Sequence, residues 1–524
     1  MHANRSENLL KNTWQVVRKR LLFPESPMPE ITTFPSSWPA MAIRNRKILV
    51  NENFLCKYCE KISPIDVLGA ILTHGLAHHS VCPWDLRTHI ELFNEATTIL
   101  QSPYYGRFVV DLFLDMVVDC YCFDHGWNGI ELILKAVSNC DNPFLRILLP
   151  VYAKIRGDKP WAKSSILDCG TIEYLSEINY LDRKNWFRSI RKVARALRKY
   201  LPQLLSDKTL APPPMGYHDV YSYGTMELPE SFRGLAQQTE DPTAFERIFS
   251  SVKHAYGKSE DGEPGGKMGR SLGSEIRANT LFYMCLADKY RMRIRKREIR
   301  KDGALYPFSH EQWSVSDPFY DIDIWNSMGK ILPPLTVKWK KREGEGYTSQ
   351  DRVPDCMIMI DSSGSMPNPS QTLSYAVLGA SCAADAYLRE GASVSVYNFS
   401  DAPAGNRKLI VDSRDRQEIY ETICTYFGGG TALEINLLSG MIGNKQLDIF
   451  LITDMEITNL EHLIKLFESL KNIRVTAVYV GEKKGVERFQ QAASKMQNVS
   501  VYGIEKPHDI MNIVLGQIKK YIHN

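Results

Sequence analysis

The chain has 524 residues, enough for two to four domains at roughly 150 residues each. Hydrophobic residues make up 44% and charged residues 24%, a globular balance that excludes disordered and fibrous classes. With 64 basic and 60 acidic residues, the net charge of +4 gives no bulk electrostatic drive toward nucleic acid or membrane surfaces.

Eleven cysteines are scattered and odd in number, which argues against a disulfide framework and for a reducing cytoplasm. The opening residues lead into no apolar h-region, so no signal peptide is expected. No run approaches the ~18 apolar residues of a membrane span.

Apolar spacing predicts a first helix over Leu9–Leu22, followed by an extended proline-rich arm from Pro24 to Pro39. Residues 46–205 read as mostly helical. Helices are expected over Pro64–Ser80, Trp84–Leu100 and Phe108–Cys122, with a basic amphipathic helix over Leu181–Leu204. Pro212–Pro214 opens a break, and a further helix is expected over Pro242–Tyr256. Together these form a helical N-terminal domain, 1–256.

Residues 257–273 are rich in Gly, Ser, Asp and Glu and read as a linker. They are not a phosphate loop: three residues separate Gly262 from Gly266, and Met268 stands where Ser or Thr belongs. A helix, a basic stretch and segments around Trp313, Trp325 and Trp339 follow, so 257–350 reads as a linker and β-containing connector. No internal repeat is present.

From residue 351 strands and helices alternate. Strands are expected at Cys356–Ile360, Ser393–Phe399, Asp448–Thr453, Arg474–Val480 and Val499–Tyr502. Helices are expected at Gln371–Arg389, Arg414–Thr425, Ala432–Met441, Asn459–Leu470, Gly485–Lys495 and Pro507–Ile522. This pattern means βαβ units: a C-terminal α/β domain, 351–524, doubly wound and Rossmann-like around a mainly parallel sheet.

The first strand ends Met357-Ile-Met-Ile-Asp361-Ser-Ser363-Gly-Ser365. Ligands of open α/β sheets bind beyond the carboxyl ends of strands, so Asp361, Ser363 and Ser365 lie where a ligand would sit. Gly428-Gly-Gly-Thr431 offers a loop hydroxyl, and Ile449-Phe-Leu-Ile-Thr-Asp454 is a second apolar strand ending in a carboxylate. Such oxygen donors suit a hard cation.

Asp-x-Ser-x-Ser, a later Thr and a later Asp resemble the metal-ion-dependent adhesion site of von Willebrand factor A (VWA) domains. The five positions are Asp361, Ser363, Ser365, Thr431 and Asp454, and the resemblance covers about a third of the chain. It implies Mg²⁺ (or Mn²⁺) with one open coordination position, filled by an acidic side chain of a partner protein. One departure is Thr453-Asp454-Met455-Glu456, where many relatives have Asp-Gly. VWA proteins of this layout often work with separate MoxR-type AAA+ ATPases in complex remodelling or metal-cofactor insertion.

A second constellation is Leu72-Thr-His74-Gly-Leu-Ala-His78-His79. His74 and His78 share a helical face, the spacing of His-Glu-x-x-His zinc ligands, but Gly75 replaces the glutamate base. Downstream, Asp111, Asp115 and Asp119 fall on one face of an apolar helix. His74, His78 and Asp115 make a plausible Zn²⁺ set. The region is similar to metallopeptidase-like domains that precede VWA domains, and the missing glutamate argues against catalysis. Glu91 or Glu95 would have to supply a base.

Other signals are less specific. Cys56-Lys-Tyr-Cys59 is a single CxxC, which Cys82, Cys120 or Cys122 would have to complete. Arg291, Arg293, Arg295 and Arg297 lie in a basic run that could contact nucleic acid. The functional expectation is a cytoplasmic metal-dependent protein-binding adaptor with no catalytic set of its own. The alternatives are a zinc metallopeptidase-like hydrolase that recruits substrate through its VWA domain, and an RNA-binding particle protein.

Overall fold

The structure, a computed structural model, describes residues 2–34, 40–44, 47–59, 61–82, 85–140, 142–161, 165–205, 215–218, 228–256, 276–301, 305–315, 317–333, 335–343, 348–443, 445–470, 473–481 and 486–516. The proline break at 212–214 and the linker at 257–273 lie outside them. The chain divides into two compact units, Met1–Lys289 with Pro369–Leu373, and Tyr290–Asn368 with Ser374–Asn524.

The first unit is helical around a small sheet. α1 (His2–Arg20) precedes β1 (Glu30–Thr32), β2 (Met41–Arg44) and β3 (Lys47–Asn51). With β4 (Gly216–His218) these form a sheet in the order β1-β3-β2-β4, antiparallel only between β2 and β3. β1 lies within the arm expected to be extended, and its three residues are too few for alternation to mark a strand.

α2 (Glu52–Tyr58) leads to α3 (Pro64–Ser80), whose ends match the expected ones. Ser63 makes no side-chain cap, so the fixed φ of Pro64 sets the start. Asp85 caps α4 (Leu86–Leu100), and Ser102 caps α5 (Pro103–Asp124). α5 is buried along most of its length, its apolar residues running round the whole helix although Asp115 and Asp119 are buried among them. α6 (Gly129–Ala136), α7 (Pro143–Arg156) and α8 (Cys169–Ser176) follow, and α3 packs against α1, α5 and α6.

The basic helix expected over Leu181–Leu204 is instead three pieces: a 3₁₀ turn at Arg183–Asn185, α9 (Trp186–Leu197) and α10 (Leu201–Leu204). The Asp182 carboxylate holds the Lys184 amide at one break, and Pro202 has no amide to carry the helix through the other. α11 (Leu228–Thr239), α12 (Pro242–Tyr256) and α13 (Ala278–Ala287) complete the unit. No helix among the described residues is long and apolar enough to cross a membrane.

The second unit opens with β5 (Arg293–Ile294), β6 (Arg297–Lys301), β7 (Leu305–Gln312), β8 (Val337–Glu343) and β9 (Thr348–Arg352). β6 pairs with β9 and β7 with β8, both antiparallel. Between β7 and β8 burial is inverted: Asp323, Ser327 and Thr336 are buried while Ile324, Trp325 and Met328 are exposed.

The main sheet contains β10 (Asp355–Asp361), β11 (Val394–Phe399), β12 (Arg407–Ser413), β13 (Leu447–Thr453), β14 (Arg474–Val480) and β15 (Val499–Ile504). Its order is β12-β11-β10-β13-β14-β15, parallel throughout except where β12 runs antiparallel to β11. β12 escapes the sequence pattern because it is an edge strand exposed along most of its length. α14 (Tyr375–Arg389), α15 (Arg416–Ile423), α16 (Ile435–Ile442), α17 (Leu460–Ser469) and α18 (Val486–Ser494) connect the strands.

Alternate strand residues face opposite layers. Met357, Met359, Ile449, Leu451, Val475 and Ala477 pack with Leu438, Leu463, Phe467 and Phe489 on one face. On the other, α14 lies on β10 and β13, and a Cβ on Gly379 would sit 2.9 Å from Ile452 Cδ1. Helices therefore cover both faces of a doubly wound α/β sheet.

The helix expected over Pro507–Ile522 does not form within the described residues. Pro507–Asn512 is a 3₁₀ turn, with Asp509 accepting the Glu505 and Lys506 amides. β16 (Val514–Leu515) then pairs in parallel with β5. Ile513 and Leu515 are buried two residues apart, the spacing of a strand and not of a helix. Residues 517–522 lie outside the described residues.

Candidate functional site

From β10 the chain winds to β11 and β12 on one side, and from β13 to β14 and β15 on the other. This reversal opens a crevice at the carboxyl ends of β10 and β13. Asp361 ends β10, and Asp454 immediately follows β13, so both lie on that edge.

Asp361 is buried. Its Oδ1 accepts the Ser363 amide at 2.9 Å and its Oδ2 accepts the Thr453 hydroxyl at 2.6 Å. Ser363 Oγ lies 3.1 Å from Ser365 Oγ, and Ser365 Oγ donates to Asp454 Oδ2. Hydrogen bonds thus link Asp361, Ser363, Ser365 and Asp454 directly. Asp361 and Ser363 form a buried floor, while Ser365 is exposed at the mouth.

The glycine loop is fixed against the same turn. Gly428 N donates to Ser362 O at 2.9 Å, and Gly364 N donates to Gly429 O at 2.8 Å. Ser400 Oγ accepts Gly429 N at 3.0 Å and donates to Gly430 O at 2.8 Å. Thr431 follows directly, half-buried, with its carbonyl accepting Thr458 N at 2.8 Å. Its backbone is thereby tied to the turn that follows Asp454.

Two glycines of this loop are demanding, Gly428 with its φ of 70° and Gly429 by close packing. A Cβ on Gly429 would lie 2.9 Å from Ser400 Oγ, whereas one on Gly430 meets only Asp401 Cβ at 3.9 Å. Gly429→Ala is expected to weaken Mn²⁺ binding at this edge about tenfold, through displacement of a supporting group. Gly430→Ala should stay near wild type in the same Mn²⁺ titration.

Burial pushes the Asp361 carboxyl up to about 6, against the pull of its Thr453 and Ser363 hydrogen bonds, and the like charge of Asp454 adds to the rise. Two carboxylates and neighbouring hydroxyls fit a hard dication such as Mg²⁺ or Mn²⁺. Met455 takes the glycine-like φ of 67° and is kept there by its place in the core. Its amide donates to Thr453 Oγ1 at 3.1 Å, and Glu456 stands exposed beside Asp454.

Thr453 and Ser400 were not singled out in the sequence. The only available signal for Thr453 was a hydroxyl placed last in an otherwise apolar strand. Ser400 follows β11 and gives no signal before the sheet order is known.

In the first unit, α3 and α5 bring His74, His78 and Asp115 together. Among the described residues they are the one group of three His, Cys, Asp or Glu side chains with ligand atoms mutually within 4.8 Å. Cys56, Cys59, Cys82, Cys120 and Cys122 join no such group. Asp111 instead pairs with Arg107 at 3.8 Å, Glu91 with Arg87 at 2.9 Å and Glu95 with Arg191 at 3.3 Å. Asp119 and Tyr152 also belong to the histidine cluster. Asp119 Oδ1 lies 2.8 Å from His74 Nδ1, and Tyr152 OH donates to Asp119 Oδ2 at 2.8 Å.

Arg291, Arg293 and Arg295 are exposed, with Met292 buried between them. Arg293 lies in β5 and Arg297 in β6. The Arg295 amide donates to Leu515 O at 3.0 Å, so the backbone of this stretch is occupied in pairing.

No protein-family model matches the chain, and no curated protein matches it. Among solved structures it is similar to a von Willebrand factor type A protein from Catenulispora acidiphila, with 20% identity over 32% of this chain and 42% of that one, at a TM-score of 0.24. The manganese-loaded TRAP protein of Plasmodium vivax is 14% identical over 30% of this chain and 72% of that one, at a TM-score of 0.24. Proximal thread matrix protein 1 from the mussel byssus is 17% identical over 29% and 44%, at a TM-score of 0.22. The chain spans less than half the length of the first of these.

Proposed function

We propose that the carboxyl edge of the main sheet is a metal-dependent protein-binding site of the VWA kind, and that the chain acts as an adaptor. The observation that carries this reading is the hydrogen-bonded chain Asp361–Ser363–Ser365–Asp454, buried at its base and open at Ser365. Asp361, Ser363, Ser365, Thr431 and Asp454 would hold Mg²⁺ (or Mn²⁺). When bound, the cation supplies a position that an outside carboxylate can fill.

The protein's own part is positioning. Thr453 and the Ser363 amide orient Asp361, the Ser400 hydroxyl fixes the Gly428–Gly430 loop, and Met455 anchors the Asp454 turn in the core. Two carboxylates do not over-neutralise a dication, so a third from a partner still gains by binding. A MoxR-type AAA+ ATPase as a separate working subunit rests on the family resemblance alone.

The test is an array of peptides with Glu or Asp replaced in turn by Gln or Asn, incubated with the full chain in Mg²⁺ or in chelator. Binding is expected to need both a carboxylate and the cation, and to be lost in Thr431→Ala. Binding that tolerates the amides or the chelator would contradict this reading.

A further inference from the structure

We infer that His74, His78 and Asp115 form a buried transition-metal centre of the zinc class, one that ties α3 to α5 and does not hydrolyse peptides. It rests on observations independent of those at the oxygen-donor edge of the second unit.

Geometry is the first. His74 Nε2 and His78 Nε2 lie 3.0 Å apart, and Asp115 Oδ1 is 3.7 Å from the first and 3.5 Å from the second. At metal bonds of about 2.0–2.2 Å, the edges of a tetrahedron measure about 3.3–3.6 Å. The three observed separations straddle that range, so one small ion can reach all three atoms with little movement.

The outer contacts are the second. His74 Nδ1 faces the Asp119 carboxylate at 2.8 Å, which makes it the protonated nitrogen and turns the Nε2 lone pair inward. Tyr152 OH holds the other oxygen of Asp119 at 2.8 Å. A carboxylate behind a metal-binding imidazole, itself fixed by a donor, is the usual support of a zinc ligand.

Charge is the third. Asp115 and Asp119 are both about 1% exposed, and each lies within ion-pair distance of a histidine. Two carboxylates sealed from water are costly unless cations balance them. One dication between neutral imidazoles makes the group electrically neutral.

Two features set this centre apart from a hydrolase. His74 and His78 are at most 4% exposed, which leaves no room for a peptide at the ligands. The place of a general base is also filled. A Cβ on Gly75 would lie 2.9 Å from Met41 Sδ and 3.0 Å from Ile48 Cδ1, so the β2–β3 hairpin covers the position a glutamate would occupy. A metal-bound water there has no carboxylate at position 75 to take its proton.

The experiment uses the full chain purified without chelator. Metal content is measured by mass spectrometry, and Co²⁺ uptake by the visible d–d absorption of tetrahedral Co²⁺. One zinc-class ion per chain is expected, lost in His74→Ala and Asp115→Ala and retained in Asp361→Ala. Tyr152→Phe, chosen because it leaves the cluster's ligands and fold in place, should weaken Co²⁺ affinity about 10-fold as a positioning change. A folded wild type that takes up neither Zn²⁺ nor Co²⁺, or uptake indifferent to His74→Ala, would overturn the centre. Peptide cleavage by the Zn²⁺-loaded chain that disappears in His74→Ala would overturn its non-hydrolytic assignment.

Discussion

Asp361→Asn is expected to stabilise the metal-free second unit at about pH 8 by roughly 2–3 kcal/mol, while weakening its hold on divalent cations. Burial raises the folded-state pKa of Asp361 from 3.8 to about 6. A carboxyl raised in this way contributes stability in full below about pH 4, and that contribution is lost as pH rises through about 6. At higher pH the metal-free wild type carries a buried charge with no cation beside it. The asparagine carries none, and the Thr453 hydroxyl can turn from donor to acceptor to meet the new amide. Hydrogen exchange of β10 and β13 amides in chelator reads this unit by itself. The variant should exchange more slowly than wild type at about pH 8 and match it near pH 4, with Mn²⁺ protecting only wild type. A wild type at least as protected as the variant at about pH 8 in chelator would show that Asp361 is not strained by burial.

The second large effect lies at the other end of the same strands. Asp448 is the second residue of β13, which is buried throughout, with Oδ1 3.0 Å from Arg474 Nε and Oδ2 3.3 Å from Nη2, and Tyr387 OH donates to Oδ2 at 2.9 Å. Both charges are almost wholly buried. Gly516 lies so close that a Cβ would sit 2.8 Å from Asp448 Oδ2, so its backbone packs directly on the pair. Asp448→Ala is expected to destabilise the second unit by about 3–5 kcal/mol, because it strands the Arg474 guanidinium in the interior. The paired change Asp448→Leu with Arg474→Met should cost far less than the sum of the single changes. Thermal unfolding of the four proteins measures that difference. Additive costs would mean that the two groups do not depend on each other.

The parts of the fold most legible in the sequence are those with strong apolar periodicity or a clear punctuation residue. Pro64 and Pro242 mark the starts of α3 and α12, and the runs Met357–Ile360 and Ile449–Ile452 mark the two central strands. β12 has no buried face to announce it, and β1 is too short to alternate. The segment after β15 carries Ile510, Ile513 and Leu515 in an order that reads as helix until β5 is known to be its partner.

The candidate site divides the same way. Oxygen donors at strand ends are visible in sequence, because strand polarity alone puts Asp361 and Asp454 on one edge. Thr453 acts on Asp361 only across a β10–β13 pairing, and Ser400 acts on the Gly428–Gly430 loop only across β11. The same holds for the histidine cluster. Helical spacing places His74 beside His78 and lines up Asp115 with Asp119. Which aspartate faces which nitrogen, and that Tyr152 stands behind them, depends on how α3, α5 and α7 pack.

The most direct test of the central claim is a Mn²⁺ titration of the full chain beside Asp361→Ala, followed by the electron paramagnetic resonance of free Mn²⁺. Wild type is expected to bind one Mn²⁺ that Mg²⁺ displaces, and Asp361→Ala to lose at least about 100-fold in affinity, since it removes a charged ligand and not only a supporting contact. Equal Mn²⁺ affinity in the two proteins would contradict a metal site at this edge and, with it, carboxylate capture there.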